Sequence, residues 1–160
     1  MCGICGFITD HNITKSNLIE MNNTLAHRGP NDHGEEIYIG GPNLYVGMAQ
    51  RRLSIIDLSQ KGHQPMHSLD RRVSLVFNGE IYNYRELKEE MRDYPFQSDS
   101  DTEVIIAAYL KWGINFVDKI NGMFAIAIFD RNDNSMYLIR DRIGKKPLYY
   151  YVKDNRNIVF

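Results

Sequence analysis

Leu18, Met21 and Leu25 recur at helical spacing through "SNLIEMNNTLAH", which predicts an amphipathic helix capped at Ser16 or Asn17 and stopped by "RGPND". Ahead of it, "CGICGFI" sets Ile4 and Phe7 among small residues that permit close backbone approach, the pattern of a glycine-interrupted buried strand with Cys2 at its start. Short β-rich runs follow around "EEIYIG", "NLYVGMAQ", "RRLSIID" and "RRVSLVFNGEIYN", divided by Gly, Pro, Asn and Asp clusters, and they predict an antiparallel sheet. "YRELKEEMR" reads as a second helix. "SDTEVIIAAYLKWG" reads as a third, with a wide apolar face, Ser100 and Glu103 as a capping box and Gly113 as a stop. The last third alternates "MFAIAIFD", a "RNDN" turn, "SMYLIR", "KPLYYYV" and "NIVF", a hairpin and meander pattern. Strands in runs with helices grouped between them predict an α+β layered domain rather than a βαβ series.

Composition narrows the class. A chain of 160 residues, 43% hydrophobic and 24% charged, suits one core and predicts a single domain. Lys+Arg 19 against Asp+Glu 20 leaves a net charge of -1 with no basic block, which argues against nucleic acid and anionic membranes and favours a small neutral or zwitterionic ligand. The longest wholly apolar run, "MFAIAIF", is far shorter than a membrane span, and no signal-type segment opens the chain, so a cytoplasmic protein is expected. Cys2 and Cys5 are the only cysteines, too few for a disulfide framework or a four-ligand metal site. As C-x-x-C they could be redox-active, but that motif belongs at a helix start and here falls in a strand.

The chemistry-bearing candidates are individually ambiguous. Methionine before a small residue is usually trimmed, so Cys2 would carry a thiol and a free α-amino group together. With a reference pKa of about 7.7–8.0, that amine could serve as the thiol's own base. A mere need for a small side chain at position 2 explains the residue equally well. Asn78 and Gly79 in "VFNGEIYNY" offer a side-chain amide and a glycine N–H, the donors of an oxyanion hole, although Asn-Gly alone reads more readily as a hairpin turn. Arg52 could clamp a carboxylate, and Asp101 or Glu80 could hold an ammonium group; solvated surface charges are the ordinary alternative. His63 and His67 are separated by Pro65 and make a weak metal pair, while His27 and His33 flank "RGPND" without a matching ligand cluster. No metal site is expected, and no phosphate-binding glycine motif is present.

Taken in order, "MCGICGF", "HRGPNDHG", "RRLSIIDLSQKGHQPM", "NGEIYNYREL", "SDSDTEVI", "INGMFAIAIFD" and "RDRIGKKPLYY" closely resemble the glutaminase domain of glutamine-dependent asparagine synthetases, from Cys2 to Phe160. The resemblance implies a class II glutamine amidotransferase domain over residues 1–160. Its fold would be that of the N-terminal-nucleophile hydrolases, a four-layer αββα sandwich of two antiparallel sheets. It implies that Cys2 attacks the side-chain amide of glutamine through a glutamyl thioester, with Asn78 and Gly79 as the oxyanion hole. Arg52 would bind the substrate α-carboxylate, Asp101 and Glu80 would face its α-amino group, and backbone near Ile55 and Ile56 would line the pocket. No cofactor is implied for this domain; ATP and magnesium belong to the C-terminal synthetase domain into which family members continue, the expected partner, and a homodimer is left open. Position 5 is more often aromatic or aliphatic in such proteins, and Cys5 reads as a small core substitute. Two other readings keep their place: an amidotransferase supplying ammonia to a sugar or another carboxylate, and a non-catalytic glutamine-binding domain.

Overall fold

The computed structural model describes residues 2–53, 60–154 and 156–160. One sheet is formed by β1 (Gly3–Thr9), β2 (Asp32–Gly41), β3 (Leu44–Arg52), β8 (Tyr151–Asp154) and β9 (Asn157–Val159), in the order β2-β3-β1-β9-β8. The other is formed by β4 (Met66–His67), β5 (Val73–Ile81), β6 (Gly122–Asp130) and β7 (Ser135–Arg140), in that order. The paired strands are antiparallel throughout the described residues. Among the described residues three α-helices complete the architecture: α1 (Lys15–Thr24), α2 (Tyr84–Glu90) and α3 (Asp101–Trp112).

Strand alternation assigns the layers. In β1 the even positions Ile4 and Ile8 join Val46, Met48, Val76, Ala127 and Phe129 in a core between the two sheets. The odd positions Cys5 and Phe7 face the other way and pack with Ala49 against Leu18 of α1. In β5 the odd positions Val73, Leu75, Phe77 and Ile81 face outward onto α3, where Val104, Ile105 and Ala108 complete the largest core cluster. The result is the expected αββα sandwich. Each fully buried aliphatic or aromatic side chain in these layers contributes roughly 1.5–3 kcal/mol.

Local signals explain most element ends and correct a few. α1 begins two or three residues before its predicted caps, because Thr14 is the N-cap and its N–H donates to Asn17 Oδ1 at 3.2 Å. α3 starts as expected: Ser100 accepts from the Thr102 amide at 3.2 Å, and Gly113 ends the helix at φ 59. Glu103 does not close the capping box on Ser100. Its carboxylate instead accepts from the amides of Gln97 and Ser98 and fixes the preceding loop. "RRLSIID" is no separate strand: Arg51 and Arg52 end β3, and 54–59 lie outside the described residues. "KPLYYYV" becomes strand only from Tyr151.

Candidate active site

The two sheets present their inner faces to each other, and the predicted site residues lie where β1 and β3 of one meet β5 of the other. Cys2 precedes β1 in phase with Ile4, which places it on the inter-sheet side. Its Sγ accepts a hydrogen bond from the Leu53 amide at 3.3 Å, and its carbonyl accepts from Arg28 Nε at 3.0 Å. One cavity is lined by Cys2, Arg52, Asn78, Gly79, Glu80 and Asp101 together. Sequence reasoning nominated all of these, and the fold gathers them from four elements or their ends. Ile55 and Ile56 lie outside the described residues.

The edge of β5 explains what the cavity offers chemically. Backbone N–H and C=O groups of alternate strand residues point to the same side, so those of Val73, Leu75, Phe77, Gly79 and Ile81 all face away from β6. Val73 bonds to Ser68, and Leu75 pairs with Met66 of β4. Beyond the end of β4, side chains take over: Gln64 Oε1 accepts from the Phe77 amide at 2.7 Å, and Asp101 Oδ2 accepts from the Ile81 amide at 3.1 Å. Among the described residues the Gly79 amide alone in this row has no protein partner, and it opens into the cavity beside Cys2. Asn78 and Gly79 are thus not a hairpin turn. They sit inside β5, opposite Ala125 and Phe124 of β6. A Cβ on Gly79 would come within 2.1 Å of the Met123 carbonyl oxygen, so close strand pairing requires glycine there. The Asn78 side chain points to the inter-sheet side, is buried, and makes no hydrogen bond among the described residues. An amide donor and a backbone N–H, both unspent among the described residues, therefore line the same cavity as a thiol.

Charge is arranged to suit a zwitterion. Arg52 is buried at the end of β3, with Nη1 3.9 Å from Asp32 Oδ2, and Gly62 packs so closely that a Cβ there would stand 2.0 Å from Nη2. His63 Nδ1 lies 2.9 Å from the same Asp32 oxygen. Asp101 is the first residue of α3, and burial pushes its carboxyl up to about 6, with the Glu80 charge adding to the rise while the Ile81 and Thr102 amides oppose it. Cation and carboxylates line one cavity, as a ligand bearing both charges requires.

Several contributing residues were not singled out from sequence. Gln50, Gln64 and Lys146 also line the cavity. Gln50 carried a usable signal, being a polar residue in phase with Val46 and Met48 on a face that is otherwise core. Lys146 is buried by its loop, where Asp141 accepts from the amides of Lys145, Lys146 and Phe124. That looped geometry has no periodic signature. The C-x-x-C pair is separated by the pleat: Cys2 faces between the sheets, while Cys5 is buried under α1 with its thiol pushed up to about 12, chiefly by burial. His67 bonds to Ser74 and Glu36, each at 3.0 Å, and lies apart from His63 and Asp32.

No helix among the described residues is long and apolar enough to cross a membrane. The chain is 44% identical to "Asparagine synthetase [glutamine-hydrolyzing] 2" of Bacillus subtilis (strain 168), over 94% of its own length and 20% of that protein. It is 37% identical to "Amidase chry2" of Gibberella zeae, over 99% of its length and 25% of that protein. The curated relatives it matches are much longer, and the chain spans 20% of one and 33% of another. The fold matches glutamine phosphoribosylpyrophosphate amidotransferase from B. subtilis, solved with ADP and GMP, at a TM-score of 0.76 and 19% identity, covering 98% of this chain and 41% of that one. A family model for the glutamine amidotransferase domain matches residues 1–160, in agreement with the sandwich and the cavity, and the chain belongs to that family.

Proposed function

We propose that this domain hydrolyses the side-chain amide of glutamine and supplies the ammonia to an asparagine-forming synthetase domain, as an N-terminal cysteine amidotransferase. The observation that carries the reading is the unpartnered Gly79 amide and free Asn78 side chain beside the Cys2 thiol in one cavity. Once Met1 is removed, the α-amine of Cys2 takes the thiol proton as sulfur attacks the amide carbon of glutamine. The negative charge on the amide oxygen is received by Asn78 and the Gly79 N–H, donors fixed in place before the reaction. The amine returns the proton to the leaving nitrogen, ammonia departs, and a glutamyl thioester remains. Water, deprotonated by the same amine, attacks the thioester and releases glutamate and the thiol. Arg52 takes the substrate α-carboxylate, and Asp101 with Glu80 takes its ammonium group, which places the amide at the sulfur.

These steps draw on the chain's own groups and water; ATP and magnesium serve the synthetase reaction. The reading implies a cytoplasmic, soluble setting. Its test is to incubate Met1-processed protein with glutamine and follow glutamate. Glutamate release is expected, with loss of activity in Cys2→Ala and in a folded form that retains Met1 or carries an N-terminal tag. Full turnover by the tagged form would overturn the amine's role. No asparagine is expected from aspartate, ATP and magnesium with these 160 residues alone.

A further inference from the structure

Phe77 immediately precedes Asn78, and both of its backbone groups are held by side chains from outside its sheet. Gln50 Nε2 donates to the Phe77 carbonyl at 2.7 Å, and the Phe77 amide donates to Gln64 Oε1 at 2.7 Å. The two glutamines are 1% and 4% exposed, so these bonds are made without competition from bulk water. Gln50 is tied through its backbone, and Gln64 through its side chain, to a second part of the fold. Gln50 lies opposite Ile4 in the β1–β3 ladder, two residues from Cys2, and its own carbonyl accepts from Asn22 Nδ2 at 3.1 Å. Gln64 Nε2 donates to Thr102 Oγ1 at 3.1 Å, next to Asp101 on α3.

We infer that Gln50 and Gln64 form an amide clamp on the Phe77 peptide that sets the position of the Asn78 and Gly79 donors relative to Cys2. Both are positioning residues for the proposed hydrolysis, on which this inference rests. The clamp does the work of an absent strand: β4 begins only at Met66, Gln64 two residues before it falls in the same register opposite Phe77, and its side-chain oxygen accepts where a backbone carbonyl would. A continued strand would also cover the Gly79 amide. Two side chains satisfy Phe77 and stop, leaving the next outward-facing N–H free for the reacting oxygen. Gln50 sets the spacing between the sheet that carries the nucleophile and the one that carries the donors.

The hydrogen-bond directions give an asymmetric test. Gln50 must donate, so Gln50→Glu places carboxylate oxygen against the Phe77 carbonyl, and Gln50→Met removes the donor without adding charge. Gln64 must accept from Phe77. Gln64→Glu keeps that acceptor and lets the Thr102 hydroxyl donate in turn, whereas Gln64→Met loses the bond. With wild-type glutaminase activity established first, kcat and KM for glutamine, thermal midpoint, and the rate of Cys2 alkylation by iodoacetamide are measured for all four variants. Misplacing an oxyanion donor is expected to lower kcat by about 10- to 100-fold in Gln50→Glu, Gln50→Met and Gln64→Met, with KM and Cys2 alkylation within about threefold of wild type. Gln64→Glu is expected to keep kcat within about threefold. The clamp is overturned if the folded Gln50→Met and Gln64→Met proteins turn over at the wild-type kcat, if KM rises in place of a kcat loss, or if Gln64→Glu is as impaired as Gln64→Met. Absence of activity in the wild-type protein would instead count against the proposed function.

Discussion

The Ile81 amide donates to Asp101 Oδ2 over 3.1 Å, joining the strand that carries Asn78 and Gly79 to the first turn of α3. That single bond does not offset the burial of the carboxylate, whose pKa rises from 3.8 to about 6. Between those values the folded protein binds a proton that the unfolded chain does not, so stability falls as pH rises through the window. The difference between those two values corresponds to roughly 3 kcal/mol. Asp101→Asn is therefore expected to be more stable than wild type at pH 7, by up to roughly 3 kcal/mol, with the difference vanishing below about pH 4. Urea titrations at the two pH values measure it.

The same carboxylate must be ionised to receive an ammonium group, so function and stability pull in opposite directions at this residue. For glutamine, kcat/KM is expected to fall as pH drops below about 6, the value at which Asp101 takes up its proton in the free protein. Asp101→Asn should raise KM above about pH 6, converge with wild type below it, and so flatten that acidic limb. A pH–rate profile of both proteins checks it; an unchanged limb would assign the ionisation to another group.

Gly62 shapes the carboxylate clamp from outside. A Cβ on it would stand 2.0 Å from Arg52 Nη2, the far end of a long side chain that can swing aside while the backbone stays in place. Gly62→Ala is expected to fold with a thermal midpoint near that of wild type. Its KM for glutamine should rise by about tenfold or more, as the bidentate geometry of the guanidinium is lost. Equal KM in the two proteins would argue that Arg52 does not hold the substrate.

How much of this was legible in the sequence depends on how local the cause is. The helices at Leu18 and Val104, the "RNDN" hairpin and the glycine-interrupted first strand follow from periodicity and turn chemistry within a few residues. Cys2, Arg52, Asn78, Gly79, Glu80 and Asp101 were nominated by residue type and by family resemblance, and the fold brings them to one cavity. The meaning of Asn78-Gly79 was not local. Asn-Gly is a turn signal until β6 supplies a partner for both residues, and that partner lies more than forty positions away in the chain. The Gln50 and Gln64 contacts share this character, since each is made across the boundary of a sheet. Thr14 replaced Ser16 and Asn17 as the cap of α1 because Asn17 was free to bond backward from the first turn.

Cys2 and Cys5 should differ sharply toward electrophiles. Cys5 is buried beneath α1, and with its thiol pushed up to about 12 it is overwhelmingly protonated near neutrality. Cys2 is half-exposed in the cavity. Iodoacetamide at pH 7.5 is expected to label Cys2 alone in the folded protein and both residues after denaturation. Peptide mass spectrometry reads the sites, and glutamine should slow labelling of Cys2 by occupying the cavity.

Asn78 offers the sharpest test of the proposed oxyanion site, because its amide is buried, has no partner among the described residues, and sits beside a backbone donor of the same strand. A donor aimed at charge that exists mainly in the transition state contributes little to ground-state binding, so its removal acts on kcat. Asn78→Ala is expected to lower kcat by about 100-fold or more, equivalent to roughly 2.7–4 kcal/mol, with KM nearly unchanged. Arg52→Lys should show the reverse pattern, a raised KM with kcat largely kept, since a point charge replaces a planar two-toothed clamp on a group that does not react. Asn78→Asp separates position from donation: the carboxylate is close in size but repels the developing oxyanion, so it should be at least as impaired as alanine. Steady-state kinetics on the three proteins, with circular dichroism to confirm folding, decide the matter. A change confined to KM in Asn78→Ala would make Asn78 a binding residue and leave the reacting oxygen to the Gly79 amide.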